Sequence, residues 1–270
     1  MRSLWSAIPR PIRQALDNPA SRGIFYSLTV RLEPVTLSLD SSSISLLMES
    51  KLASRVKNAA GMAGKLTGYD KNGSYEYALS HRLLEYLTPS TVLIDIGSGN
   101  GYYGLLAAKH CHPENVFCFE PQPLYHWILS KNNHHYCSGK LHLSTRFVGN
   151  AVNDKMTSLD SFCAQHKLAP HIIKMDIEGA EFYALDGMQR VLAEHHPKLF
   201  IECHERKMRN SLGVDPKIFL DKLERLGYAM SYNGHHWYTA QNEGEVDPGW
   251  HATPPNDINY ALFCNPVEER

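Results

Sequence analysis

The stretch that most constrains this chain is Thr91 to Gly104, TVLIDIGSGNGYYG. Val92, Leu93, Ile94 and Ile96 make a short apolar run rich in β-branched residues, too short for a helix and suited to a buried strand. Asp95 interrupts the run near its C-terminal end, and Gly97, Gly99, Gly101 and Gly104 follow. Glycines at this spacing let the backbone turn tightly and approach a ligand with no Cβ between. A helix expected from Tyr102 to His110 aims its N-terminus at the same place, which favours a negatively charged group there. An acid at a strand end ahead of bare glycines is the pattern of a nucleotide-type site. A ligand-free turn would leave the conformational cost of those glycines without a purpose.

Two ligands suit the turn. Gly99 to Gly104 matches the dinucleotide pattern G-x-G-x-x-G, and Glu120 stands at about the ~20-residue offset of a ribose-binding acid. Asp95 argues against that reading, because a carboxylate before the first glycine would repel a pyrophosphate. The same carboxylate suits S-adenosylmethionine (SAM), which carries an ammonium and a sulfonium and no phosphate. The run Asp95-x-Gly97-x-Gly99-x-Gly101 resembles the first motif of class I methyltransferases.

The chain's 270 residues suffice for one α/β domain with a sizeable core and an N-terminal extension. A net charge of −1 does not point to a nucleic-acid surface. Six cysteines are scattered without a C-x-x-C pair, as expected of reduced thiols in a cytoplasmic protein rather than a disulfide frame or a zinc site. His110-Cys111-His112 could bind a metal but follows a helix end, where histidines suit the dipole. No apolar run is long enough for a transmembrane helix, and the Pro9- and Pro11-containing start lacks the unbroken apolar region of a signal peptide.

Residues 1–70 read as an extension. Pro11 opens a short helix through Leu16, and Leu28, Val30 and Leu32, then Val35, Leu37 and Leu39, alternate as strands around Pro34. Ile44, Leu47, Met48, Leu52, Val56 and Ala59 follow helical spacing. Gly61 to Gly73 reads as a connector, so residues 71–270 form the main domain. There, strands are expected over Val92–Ile96, Asn115–Phe119, part of Leu141–Val152, His171–Ile177 and Lys198–His204. Intervening helices are expected over Ser74–Leu87, Pro123–Asn133, Leu159–Leu168, Ala180–His195 (kinked near Gly187) and Asp215–Leu226. Tyr228–Tyr232 and His236–Ala240 flank the hairpin signal Asn233-Gly234, and Asn259–Cys264 is the last strand. This is a Rossmann-like, doubly wound α/β order: a mostly parallel seven-stranded sheet closed by an antiparallel terminal pair.

The segment from His171 to Glu205 is more specific. IIKMDIEGAEFYALDG followed by HPKLFIECHE resembles the FkbM family of SAM-dependent methyltransferases, with its K-x-D-x-E-G-x-E and E-x-H elements at Lys174, Asp176, Glu178, Gly179, Glu181, Glu202 and His204. Thr157 to Asp160 and Phe119-Glu120-Pro121 fit the same family in order, so the resemblance covers roughly residues 73 to 205. It implies that Asp95, Gly97, Ser98, Gly99 and Gly101 hold the methionine part of SAM. Glu120, beside Pro121, accepts both ribose hydroxyls, Asn150 and Ala151 lie near the adenine, and Asp176 stands near the sulfonium. Tyr75 and Glu76 could close over the cofactor.

The activity so implied is O-methyl transfer to a hydroxyl of a sugar, glycolipid or other small molecule, by in-line displacement assisted by alignment and proton removal. Asp176, Glu202 and His204 are the expected catalytic residues. His204 is the expected base, because its unperturbed pKa lies closest to neutrality, and Asp176 orients it. A divalent metal held by these three is the competing version, a metal-free site being preferred. The alternatives in other classes are a catalytically silent SAM-binding scaffold, disfavoured by the retained acids, and a nicotinamide-dependent oxidoreductase, disfavoured by Asp95. Trp250 and His251 in the loop Gln241–Asp257 are candidates for a lid or acceptor wall, and Trp250 and Trp237 suit stacking on a sugar face.

Overall fold

The structure, a computed structural model, describes residues 18–39, 42–54, 76–233, 250–254 and 259–267. Its centre is a sheet whose inner strands are apolar throughout: β3 (Leu93–Ile96), β4 (Val116–Phe119) and β8 (Ile172–Met175) have every residue buried. Such continuous burial is what a sheet covered on both faces demands. With β5 (His142–Ser144), β9 (Lys198–His204), β10 (Tyr228–Asn233) and β11 (Asn259–Pro266), they form one seven-stranded sheet in the order β10-β11-β9-β8-β3-β4-β5. β3, β4, β5, β8 and β9 pair in parallel, and β11 runs antiparallel to both its neighbours.

The chain moves outward from β3 through α3 (Tyr102–Ala108) to β4 and α4 (Pro123–Cys137), then returns past β3 to β8. The switch point therefore lies between the carboxyl ends of β3 and β8, where a doubly wound sheet opens a crevice. The helix expected over Ala180–His195 is two helices, α6 (Glu181–Asp186) and α7 (Gln189–His195), broken at Gly187. A Cβ on Gly187 would lie 1.8 Å from the Gly149 carbonyl oxygen. Helices α5 (Leu159–His166) and α9 (Pro216–Arg225) fall inside their expected spans, while α8 (Glu205–Leu212) was not expected.

The N-terminal region departs from expectation. Pro19–Thr29 is a helix, α1, capped by the Asn18 side chain, so Leu28 is helical rather than the start of a strand. β1 (Leu32–Leu39) runs unbroken through Pro34 and pairs antiparallel with β2 (Ser42–Glu49). The expected helix from Ile44 is thus a strand as far as Glu49, and only residues 50–54 are helical. The reason is burial: Ile44, Leu46 and Met48 alternate inward opposite Val35 and Leu37, and all five join the apolar cluster that contains β3, α3 and Leu129 of α4. Each such side chain contributes ~1.5–3 kcal/mol of gross burial, well above any intrinsic helix preference.

The short helix from Pro11, the connector Gly61–Gly73, Tyr75, the strand His236–Ala240 and Trp237 lie outside the described residues. The partner of β10 among the described residues is β11, in register Tyr228 to Pro266. All six cysteines are free and buried. No described helix is long and apolar enough to cross a membrane.

Candidate active site

The turn after β3 is built by its glycines. Gly97 has φ +81°, and a Cβ there would lie 1.8 Å from the main-chain oxygen of Asp176, so the β3 and β8 ends can meet only without a side chain. Gly99 has φ +54° and open space where a Cβ would be, and its N–H donates to Glu120 Oε2 at 2.8 Å. The Ser98 hydroxyl donates to the Asp95 main-chain oxygen at 2.9 Å, tightening the turn.

Two buried carboxylates flank this turn. Asp95 is fully buried, and neither carboxylate oxygen has a hydrogen-bond partner among the described residues. Burial raises its pKa, and the nearby Lys174 ammonium opposes the rise. An orphaned acid of this kind calls for a cationic donor. Glu120, at the end of β4, accepts from Gly99 N–H and Gln122 N–H, each at 2.8 Å. Burial nonetheless lifts its pKa to about 7 against those two bonds.

The second cluster sits at the ends of β8 and β9. Glu202 and His204 share a face of β9 and are both almost wholly buried. His204 Nε2 faces Glu202 Oε1 at 3.2 Å, Glu178 Oε2 at 3.5 Å and Asp176 Oδ1 at 3.9 Å. Its Nδ1 faces Glu181 Oε1 at 3.3 Å, an oxygen that also accepts from Ile177 N–H. Burial alone would lower the imidazole pKa, but the hydrogen bonds and charges of Glu181 and Glu202 outweigh it and raise it to about 10.

Lys174 is buried beneath Asp176, 3.6 Å from its Oδ2, with its ammonium 4.6 Å from the centre of the Tyr103 ring. Burial lowers its pKa, but the surrounding acids, Asp176 first, reverse this and keep it charged. Asp176 is pushed up by burial and by Glu202, against the pull of Lys174.

Glu120 and Asp176, one from each cluster, border one cavity of about 340 Å³, lined also by Gly97, Gly99, Pro121, Tyr125 and Phe147; Asp95, Ser98 and Gly101 were expected at the ligand but do not line it. That volume falls in the small-ligand range of roughly 300–1,000 Å³. A second cavity of about 550 Å³ shares Phe119 and Arg146 with it, along the edge strand β5. Asn150 and Ala151 are exposed and do not line either cavity; Arg146, Phe147 and Val148 line the first one instead. Glu76 is buried away from the cavity wall and accepts from the Tyr103 hydroxyl at 2.5 Å. His251 bridges to Tyr232 at the sheet edge, and Trp250 packs 6.1 Å from Phe263. His110 and His112 are exposed on either side of buried Cys111.

Sequence reasoning missed Asn132. It is fully buried in α4 and ties the glycine turn to the N-terminal hairpin. Its Oδ1 accepts from Leu47 N–H at 2.6 Å, and its Nδ2 donates to Leu47 O at 3.0 Å and Asn100 O at 2.7 Å. The only signal in the sequence is a polar residue next to Ile128 and Leu129 on a helix.

A parallel sheet with a lone antiparallel strand, an acid before a glycine turn and a second acid at the next strand end are the features that the sequence resemblance to SAM-dependent methyltransferases leads one to expect. Residues 127–230 match the family model described as the methyltransferase FkbM domain. The match takes in Asp176, Glu202 and His204 but begins after Glu120. Among solved structures, the chain is similar to a methyltransferase FkbM from Methylobacillus flagellatus KT, at 18% identity over 80% of this chain and 60% of that one, with a TM-score of 0.46. It is also similar to an rRNA methylase from Streptococcus thermophilus, at 11% identity over 71% of this chain and 96% of that one, with a TM-score of 0.48. A SAM-dependent O-methyltransferase from Thermotoga maritima matches at 12% identity over 87% of this chain and 78% of that one, with a TM-score of 0.47. The chain thus spans about 60% of the length of the Methylobacillus protein. No curated protein sequence matches it.

Proposed function

We propose that this methyltransferase binds SAM in the 340 Å³ cavity and methylates a hydroxyl of a sugar, glycolipid or other small molecule. The observation that carries the reading is Asp95, a fully buried carboxylate with no hydrogen-bond partner among the described residues, beside a glycine turn and within one strand of Glu120. Two buried acids at this turn suit an ammonium and a ribose and disfavour a pyrophosphate. When bound, SAM supplies an electrophilic methyl group on a sulfonium.

The chain's own residues then divide the work. Asp95, buried behind the cavity wall, supplies the negative field that favours the ammonium end. Glu120 has a spare lone pair on each oxygen beyond the N–H bonds it already accepts, so it can take both ribose hydroxyls. The bare Gly97 and Gly99 backbone lets the ligand lie against the strand ends. Asp176 is the member of the second cluster that lines the cavity, so it receives the acceptor hydroxyl and orients its oxygen along the line of displacement. Glu202 and His204 stand behind Asp176 and fix it. The net charge of −1 and the absence of a basic composition favour a small acceptor over a nucleic acid.

The test is transfer of labelled methyl from SAM to fractionated glycans, lipids and small hydroxylated compounds, with structured RNA as a further arm. Asp176→Asn should lower the rate on the responsive acceptor by roughly 10²–10⁴ with SAM affinity kept. Labelling of RNA alone would overturn the acceptor class, and full activity in Asp176→Asn would overturn the role of Asp176.

A further inference from the structure

The cluster behind the cavity has a geometry that hydrogen bonding does not explain. Three carboxylates, from Asp176, Glu178 and Glu202, all face the same nitrogen of His204, Nε2, at 3.2–3.9 Å. A proton on Nε2 can serve one of them, and a bare lone pair would repel all three. The opposite nitrogen, Nδ1, is held by the fully buried Glu181 at 3.3 Å. That is the arrangement by which a carboxylate fixes the tautomer of a metal-ligating histidine and turns its other nitrogen to the ion. Glu181 Oε2 has no hydrogen-bond partner among the described residues despite complete burial, a further sign of an unmet electrostatic need.

We infer that Asp176, Glu202 and His204 form a binding site for one divalent first-row transition cation. One ligand atom from each of the three lies within 4.8 Å of the others, and adjacent ligands of an octahedral ion with bonds of about 2.1 Å stand about 3 Å apart. The mixed imidazole and carboxylate donors suit manganese, iron or zinc better than calcium. The charges fit as well. Asp176, Glu178, Glu181 and Glu202 face one another across His204, and the neighbouring cations are Lys174 on Asp176 and Lys207 on Glu178. With His204 neutral, as a ligating imidazole is, two negative charges remain, and one divalent ion cancels them. Asp176 lines the cavity while Glu202 and His204 are buried, so the ion's open positions face the place read above for the acceptor hydroxyl. Only this last point rests on that reading. There the ion, rather than a side chain, lowers the pKa of the hydroxyl.

The experiment is titration of the metal-stripped full chain with Mn²⁺, without SAM or acceptor, followed by electron paramagnetic resonance and calorimetry. One ion per chain should bind with a dissociation constant below about 100 μM, and the bound ion should show nitrogen coupling from an imidazole. Glu202→Gln and Asp176→Asn should each weaken binding at least tenfold, and His204→Gln should remove the nitrogen coupling. A surface control, Glu114→Gln, should change nothing. Circular dichroism keeps the variants interpretable, and Asp176→Asn, at a partly exposed position, serves if the buried variants do not fold. No stoichiometric binding to the wild-type chain, or binding with no nitrogen coupling, overturns the inference. Binding with these features in a chain that transfers no methyl group leaves the inference standing and defeats the hydroxyl reading instead.

Discussion

Replacing Glu120 with glutamine should make the ligand-free protein more stable at high pH and slightly less stable at low pH. The carboxyl of Glu120 has its pKa raised from 4.5 to about 7, chiefly by burial. A raised folded-state pKa means that the folded chain binds a proton more tightly than the unfolded chain. The stability this confers is fully present below pH 4.5 and is lost as pH rises through about 7. The shift of ~2.5 units corresponds to ~3 kcal/mol withheld from the wild-type protein above pH 8. Glutamine carries no charge in either state; its oxygen accepts from one of the Gly99 and Gln122 N–H groups while its amide nitrogen faces the other, a cost of about 1 kcal/mol at every pH. For 270 residues, at about 2.1 cal/mol/K per residue, ~3 kcal/mol corresponds to a Tm difference of ~5–6 °C. The assay is thermal unfolding of both proteins without ligand from pH 5 to pH 9. The difference should open with pH in favour of Glu120→Gln. A constant difference, or a variant less stable than wild type at pH 8.5, would refute the argument that burial governs this carboxyl.

Gly97→Ala should destabilise the chain by at least ~3 kcal/mol and abolish SAM binding, because the new methyl group meets the Asp176 main-chain oxygen at 1.8 Å and φ is +81°; urea unfolding measures it. Asn132→Leu should cost about 2–4 kcal/mol, since it strands the Leu47 N–H and leaves two carbonyls without a donor in a part-buried seam; the same unfolding assay applies, and a loss below ~0.5 kcal/mol would deny the seam its role.

The sheet was legible because its strands are apolar runs bounded by turn residues. Val92–Ile96 and Lys198–His204 have no competing helical reading, and the observed strands Leu93–Ile96 and Lys198–His204 lie within those spans. The hairpin was not legible. Ile44, Leu47, Met48 and Leu52 fit a helical period, while Ile44, Leu46 and Met48 fit a strand, and the choice is made by Val35 and Leu37 across the pair. α8 was missed because Met208 is its only buried residue, so it shows almost no apolar period. At the site, the acids and glycines were legible as residue types in order. The environment of His204 was not, because four carboxylates from two strand ends and the intervening turn and helix meet there only in the fold. Composition could suggest a base; only the contacts show an imidazole with carboxylates facing both of its nitrogens.

The most direct test of the central claim is calorimetric titration of the full chain with SAM and with NADH, repeated on Glu120→Ala. The account predicts that SAM binds and NADH does not, and that Glu120→Ala weakens SAM by roughly 1.5–3 kcal/mol, about 10- to 150-fold, with folding intact. Binding of NADH in place of SAM, or SAM affinity unchanged in a folded Glu120→Ala protein, would contradict it.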